Sequence, residues 1–177
     1  MAEASGKTVF VIGGAKSGKS TFALEKAGAF PGRKAYIATA QPLDDEMRER
    51  IERHRAQRST DWDTFEEPVK MARVLKHIEA GYTAGVIDCL TLWLSNLLIG
   101  SDDLEEEVQA FLAFLKNGDF PTLFIVSNEV GMGIVPENVL ARRFRDRAGL
   151  LNQQVATIAD EVYLVAAGIP LRIKPSR

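Results

Sequence analysis

A chain of 177 residues has the size of one ordinary domain and can bury a substantial core. Apolar residues at 46% exclude a disordered chain, and a net charge of -2 leaves no electrostatic footprint for nucleic acid. The single cysteine, Cys89, excludes an internal disulfide and suits a reducing cytoplasm. Met1 to Lys7 lacks a basic region followed by a long apolar one, so no signal peptide is expected. The longest apolar candidate, Leu90 to Ile99, is interrupted by Thr91, Ser95 and Asn96 and is too short to cross a bilayer. A soluble chain without membrane insertion follows.

In chain order, the first predicted element is a strand over Thr8–Ile12, short and rich in β-branched residues. Directly behind it, GGAKSGKS over Gly13–Ser20 fits the phosphate-binding pattern G-x-x-x-x-G-K-[ST] at every fixed position. A helix over Lys19–Phe30 follows. Strand, loop and helix in that order turn backbone N–H groups inward with a helix N-terminus behind them, which makes an anion cradle. Lys19 is suited to the β- and γ-phosphates and the Ser20 hydroxyl to Mg²⁺. A glycine-rich turn that merely contains a lysine would lack this context. The chain is predicted to bind a nucleoside triphosphate.

Next come a strand over Lys34–Ala38 and helices over Asp44–Arg58 and Pro68–Glu79. A strand over Gly85–Asp88, a helix over Asp103–Lys116 and a strand over Thr122–Ser127 continue the alternation. A long helix over Pro136–Ala159 and a strand over Glu161–Ala166 complete it. Asp44 with Asp45, and Asp102 with Asp103, favour helix starts, and Pro136 suits a first turn. Alternating strands and helices call for a parallel sheet covered on both faces. After the Gly168 turn, Ile169–Ile173 reads as a final antiparallel strand, and Pro170 assigns it to an edge. With no repeat or linker, residues 1–177 read as a single domain.

Val86-Ile87-Asp88 is an apolar strand ending in a carboxylate, the form of a second metal anchor beside Ser20. The plainer reading is a strand-end Asp that makes a turn. Along the helix from Asp44 to Arg58, Met47, Ile51, His54 and Arg58 share a face, and Arg50 lies four residues before His54. One reading of His54 is a solvated surface histidine in a charge-rich segment. The other is a nucleophile toward phosphorus, which needs a neutral imidazole. Arg50 and Arg58 disfavour the imidazolium and would keep the ring neutral near pH 7. Covalent catalysis by histidine would divide one transfer into two displacements. His77 has no arginine cluster and reads as a helix residue without chemistry.

Several segments then carry a resemblance: YIATAQ at 36–41, DDEMRERIERHR at 44–55, and Trp62, Thr64 and Glu66 in a W-x-T-x-E pattern. Leu90-Thr91 with SNLL at 95–98, SNEVGMGIVPEN at 127–138, RFRDRAGLLNQQVA at 143–156 and DEVYLVAAGIPL at 160–171 extend it. With the phosphate loop, these make the chain resemble the bifunctional adenosylcobinamide kinase/adenosylcobinamide-phosphate guanylyltransferases of cobalamin biosynthesis, over almost its whole length. One departure is Ser59, where the family pattern leads one to expect proline after Arg58.

The resemblance implies an α/β phosphate-loop NTPase fold of the RecA-like kind, mostly parallel, with a short antiparallel C-terminal edge. It implies a cytoplasmic homotrimer. It also implies phosphorylation of adenosylcobinamide by ATP or GTP, with Mg²⁺. Transfer of GMP from GTP through a GMP-histidine at His54 to adenosylcobinamide phosphate would follow. The nucleotide positions it implies are Gly13, Gly14, Ala15, Lys16, Ser17, Gly18, Lys19 and Ser20 in the loop. Elsewhere they are Ile37, Ala38 and Thr39, then Arg55, Ala56, Gln57 and Arg58, and finally Glu66 and Asp88. Ser20 and Asp88 would hold the metal.

Two other functions fit part of these features. A single-activity kinase would leave the arginine-flanked His54 without a reason. A nucleotide-dependent switch ATPase or GTPase should carry partner-binding extensions that a chain of this length lacks. Glu129, at a strand end, either positions acceptor or metal or ties down the Gly131–Gly133 loop. Trp62 either covers a ring of the ligand or packs. The arginines between Arg142 and Arg147 either meet pyrophosphate or a neighbouring subunit, or form a solvated face. Trp93 and Leu94–Leu98 read as core or subunit contact.

Overall fold

A computed structural model describes residues 6–41, 45, 49, 59–100 and 103–175. The strands are β1 (Lys7–Gly13), β2 (Lys34–Ala38), β3 (Trp62–Glu66), β4 (Ala84–Asp88), β5 (Thr122–Asn128), β6 (Glu161–Ala166) and β7 (Ile169–Lys174). Among the described residues, helices run over α1 (Lys19–Gly28), α2 (Met71–Ile78), α3 (Leu90–Gly100), α4 (Leu104–Asn117) and α5 (Val139–Ile158). The strands form one sheet in the order β3-β2-β4-β5-β1-β6-β7. Every neighbouring pair is parallel except β6 with β7, so the antiparallel C-terminal edge expected from Gly168 and Pro170 is present.

The central strands read as unbroken apolar runs because both their faces are buried. Val9 and Val11 point to one face with Phe22, Ala23 and Ala27 of α1. Phe10 points to the other, where Leu75 of α2, Trp93 of α3, Phe111 of α4 and Leu151 of α5 complete the larger core. Trp93 is fully buried, meets the Phe111 ring at 5.2 Å between centroids, and donates its indole N–H to Val69 O at 2.8 Å. That donation removes the cost of burying a polar N–H in an apolar layer.

Two elements differ from the sequence expectation. The sequence offers no signal for β3, because WDTFE has only Trp62 and Phe65 as large apolar residues, three apart, and forms neither an apolar run nor a clean alternation. As the terminal strand of the sheet it is only partly buried and needs no such run. α3 was read only as an apolar stretch, yet it is a helix whose Leu90, Trp93, Leu94 and Leu97 lie in the core. Helix starts also shift. Asn138, not Pro136, caps α5, its side chain accepting from Ala141 N at 3.1 Å. α2 starts at Met71 because the Glu67 carboxylate takes the N–H groups of Val69 and Lys70, at 2.9 and 2.7 Å. Of the predicted 44–58 helix, only Asp45 and Glu49 lie among the described residues, both helical. Among the described residues no helix is long and apolar enough to cross a membrane.

The edge strand is anchored by charge. Lys34 is buried at the start of β2, and its ammonium donates to the Asp61 carboxylate just before β3. Lys34 N also donates to Asp61 O at 2.9 Å. That pairing, with a second hydrogen bond from Ser59, holds the Asp61 carboxyl down at about 2. A depressed carboxylate stabilises the fold above its ordinary pKa and loses that contribution as pH falls through the folded value. Asp61→Asn should therefore lower Tm near neutral pH. Its melting curve should converge on that of the unaltered protein as pH falls from about 4 to about 2. Thermal melts of both proteins across that range check this; a gap that persists at the acid end contradicts it.

Candidate active site

β1 delivers Gly13 to the carboxyl edge of the sheet, in register with Asn128 of β5. A side chain at Gly13 is excluded, since a Cβ there would sit 2.2 Å from Val165 O. Gly18 takes φ 98°, a left-handed conformation that glycine adopts without steric cost, and α1 begins at the next residue. Gly14, Ala15 and Lys16 are exposed at the rim, whereas Ser17 and Lys19 are buried. The Lys19 ammonium reaches back across its own loop to Gly14 O and lies 3.3 Å from Ser17 Oγ. It thus sits where a bound anion would meet it. Ser20 is half-buried in the first turn of α1.

Asp88 ends β4, and Tyr36 donates its hydroxyl to the carboxylate at 3.0 Å. β4 pairs with β5 and β5 with β1, so Asp88 shares the carboxyl edge with the phosphate loop, one strand away. Ala38 is in register with Asp88 on one side and Glu66 on the other, which places all three in one row across that edge. Glu66 is exposed there. Among the described residues, no group of three or more His, Cys, Asp or Glu could hold a metal alone. A hydroxyl and a carboxylate are nevertheless hard oxygen donors. They suit Mg²⁺, which completes its shell with phosphate oxygens and water.

Ile37 and Thr39 show no accessible surface, and Ala38 is nearly as buried. Ile37 belongs to the core. Thr39 Oγ1 donates to Cys89 O at 2.8 Å and accepts from Cys89 N at 2.7 Å. Thr39 N donates to Asp88 O at 3.2 Å and Thr39 O accepts from Asn96, so neither residue offers a ligand a free surface here. His54, Arg55, Ala56, Gln57 and Arg58 lie outside the described residues. The Ser59 hydroxyl donates to the Asp61 carboxylate while its carbonyl accepts from Trp62 N at 3.2 Å. Serine thus supplies a side-chain tether where proline was expected.

Of the open readings, Glu129 accepts from Gly131 N at 2.6 Å, which ties down the glycine loop. Trp62 packs against the core on the α1 side of the sheet. Arg142 donates to Pro136 O and Glu137 O at 2.9 and 2.5 Å, and Arg147 to Glu105 at 2.8 Å, so both serve contacts within the chain. Cys89 is buried, and burial first, then the neighbouring Asp88 charge, pushes its thiol up to about 11. It stays protonated near pH 7 and is no nucleophile.

Sequence reasoning missed a buried polar layer under this edge. Thr91 Oγ1 accepts from Asn128 N at 2.7 Å and lies 3.4 Å from Ser127 Oγ. Ser127 Oγ donates to Asn152 Oδ1 at 2.8 Å, and Asn152 Nδ2 donates to Asn128 O at 3.3 Å. Asn96 Nδ2 donates to Thr39 O at 2.8 Å and Pro68 O at 3.1 Å. Polar residues inside otherwise apolar helix faces, such as Asn96 within Leu94–Leu98 and Asn152 after Leu151, were the available signal.

The fold and loop together define an α/β phosphate-loop protein with a mostly parallel sheet and an antiparallel edge pair. A solved structure titled as the RadB recombinase aligns with 91% of this chain and 74% of its own, at TM-score 0.52 and 14% identity. One from Pyrococcus horikoshii aligns with 99% and 89%, at TM-score 0.58 and 8% identity. The family model described as cobinamide kinase / cobinamide phosphate guanyltransferase matches residues 9–173, and the chain belongs to that family. A relative from Pseudomonas aeruginosa named bifunctional adenosylcobalamin biosynthesis protein CobP is 44% identical, covering 93% of this chain and 95% of its own. The Salmonella typhimurium and Escherichia coli proteins, each named bifunctional adenosylcobalamin biosynthesis protein CobU, are 39% and 40% identical. Each match covers 94% of this chain and 99% of the relative.

Thr39→Val keeps the shape of the side chain but leaves the Cys89 N–H without its acceptor, while Cys89 O keeps Trp93 N at 3.1 Å. A buried N–H left unpaired costs about 1–3 kcal/mol. Urea unfolding should show a loss of that size with an unchanged m-value; a loss below about 0.5 kcal/mol would mean the bond contributes little.

Proposed function

We propose that this chain is a bifunctional enzyme of cobalamin biosynthesis, with adenosylcobinamide kinase and adenosylcobinamide-phosphate guanylyltransferase activities. The observation that carries it is the family match over residues 9–173, which takes in both the phosphate loop and His54. In the kinase step the aminopropanol hydroxyl of adenosylcobinamide attacks the γ-phosphorus of ATP or GTP. The terminal P–O bridge breaks, the hydroxyl proton leaves, and a nucleoside diphosphate is released.

In the transferase step a neutral nitrogen of His54 attacks the α-phosphorus of GTP. A P–N bond forms, the α–β bridge breaks, and pyrophosphate departs with the electron pair. A phosphate oxygen of adenosylcobinamide phosphate then attacks the same phosphorus. The P–N bond breaks, and the products are adenosylcobinamide-GDP and free imidazole. A phosphoramidate is reactive enough to pass GMP onward, whereas a serine ester is a poorer donor.

Residues 13–20 hold the phosphates by backbone N–H groups and by Lys19, whose charge offsets the negative charge gathering on the displaced oxygens. Ile37, Ala38 and Thr39 form the floor of the sheet edge beneath the nucleotide, and Arg55–Arg58, Glu66 and Asp88 complete its site. Ser20 and Asp88 would hold Mg²⁺, which would supply further charge stabilisation to the phosphates. In this reading residues 1–177 act as one domain in the cytoplasm. A homotrimer agrees with the exposed apolar run of Met132, Ile134, Val135, Val139 and Leu140, the kind of surface that marks an interaction site.

The test is covalent. GTP labelled on the α-phosphate should leave acid-labile, base-stable label on the denatured protein, absent from His54→Ala. Label retained by that variant assigns the nucleophile elsewhere. Lys19→Ala should lower both label formation and kinase turnover by about 100-fold or more. Normal turnover in either assay would contradict a shared phosphate site.

A further inference from the structure

The phosphate loop is braced from outside by a turn that no role above uses. β6 and β7 are joined by Ala167 and Gly168, with Ala166 paired to Ile169 across the hairpin. Both linking residues have positive φ, 51° and 80°, as a tight two-residue hairpin turn of the primed kind requires. This hairpin touches the loop at three points. Gly168 N donates to Ser17 O at 2.9 Å. A Cβ on Gly18 would lie 3.3 Å from Gly168 Cα, and Val165 O occupies the space a Gly13 side chain would need.

The consequence follows from peptide geometry. A trans peptide is planar, with its C=O and N–H pointing opposite ways. Among the described residues only Asp88–Cys89 is cis, so the Ser17–Gly18 unit obeys this rule. Holding Ser17 O against the hairpin therefore turns Gly18 N–H away from it, toward the concave side of the loop. Glu129 N does the same for the Gly13–Gly14 unit, donating to Gly13 O at 2.9 Å. An anion cradle needs its N–H groups aligned in this way before the anion arrives.

We infer that Gly168 is a positioning residue for the triphosphate: its N–H fixes the Ser17–Gly18 peptide so that Gly18 N–H faces the bound phosphate. The inference rests on reading residues 13–20 as the nucleotide site. A Cβ at Gly168 would meet nothing within 4 Å, so a substitution there acts through backbone conformation and not through a clash. Asn enters the left-handed region readily, whereas a β-branched residue is strained there.

The probe is a GTP analogue with a methylene bridge between the α- and β-phosphates, with Mg²⁺. Gly168→Val should weaken its Kd by about tenfold, and Gly168→Asn should stay within about twofold of the unaltered protein. If both variants lower Tm while Kd stays unchanged, the turn serves folding alone and the inference fails. A measurement on the unaltered chain stands whether or not the valine variant folds. Saturating analogue should slow hydrogen–deuterium exchange in peptides covering 13–20 and also in those covering 167–169. Protection of 13–20 alone overturns the positioning role. Protection of neither segment overturns the nucleotide site as well.

Discussion

A loop that binds phosphate through its N–H groups must turn its carbonyls outward, and each outward carbonyl then needs a donor. That constraint organises this edge of the molecule. Gly13 O finds Glu129 N just beyond β5, Ser17 O finds Gly168 N in the β6–β7 turn, and Gly18 O finds Phe22 N in the first turn of α1. The two strands flanking β1 in the sheet are β5 and β6, so the partners come from its immediate neighbours. The sheet order thus places a donor on each side of the loop.

The same economy of polar groups governs the layer beneath. Strand ends at the carboxyl edge leave backbone groups that the ladder no longer pairs, and here they are buried. Thr39, Thr91, Asn96 and Asn152 supply the missing partners from a strand end and from the inner faces of α3 and α5, and Ser127 Oγ ties Asn152 in place. Both backbone groups of Asn128 are held this way, one by Thr91 and one by Asn152. A buried network is worth its desolvation only when every member is satisfied, and satisfaction also fixes geometry. The ends of β2, β4 and β5 are consequently set relative to the loop by side chains that touch no ligand.

What could be read from the residues divides along these lines. β1 and its loop were legible because local sequence decides them: a β-branched run, glycines at fixed spacing, then a helix. β2, β4, β5 and β6 were legible as apolar runs because burial on both faces demands such runs. β3 was not, since WDTFE has one large apolar residue for each face, a pattern that makes sense only at an edge position known from the sheet order. The α5 start was misplaced because Pro136 and Asn138 both carry helix-start signals, and only the bond from Ala141 N to Asn138 decides between them. In the candidate site, Asp88 was legible as a strand-end carboxylate, whereas Ala38 and Glu66 enter only with the family resemblance. The lateral register of the three was not legible, because pairing partners lie up to 50 residues apart. The support of the loop by Gly168 was invisible for the same reason: its glycine is separated from Ser17 by almost the whole chain.

The proposed pair of reactions asks one cradle to serve attack at two different phosphorus atoms. Nothing in the loop geometry selects between them, because backbone N–H groups and Lys19 stabilise negative charge on whichever oxygens it accumulates. Selection must come from where the nucleophile stands: an acceptor hydroxyl in line with the γ-phosphorus, or an imidazole in line with the α-phosphorus. A rigid loop favours this division of labour. If the cradle shifted between reactions, the near-attack distance for one nucleophile would be gained only by losing the other. Glu129 on one side and Gly168 on the other brace the loop, and in the proposed reactions this would keep the phosphates in one place and let the position of the nucleophile decide which bond breaks.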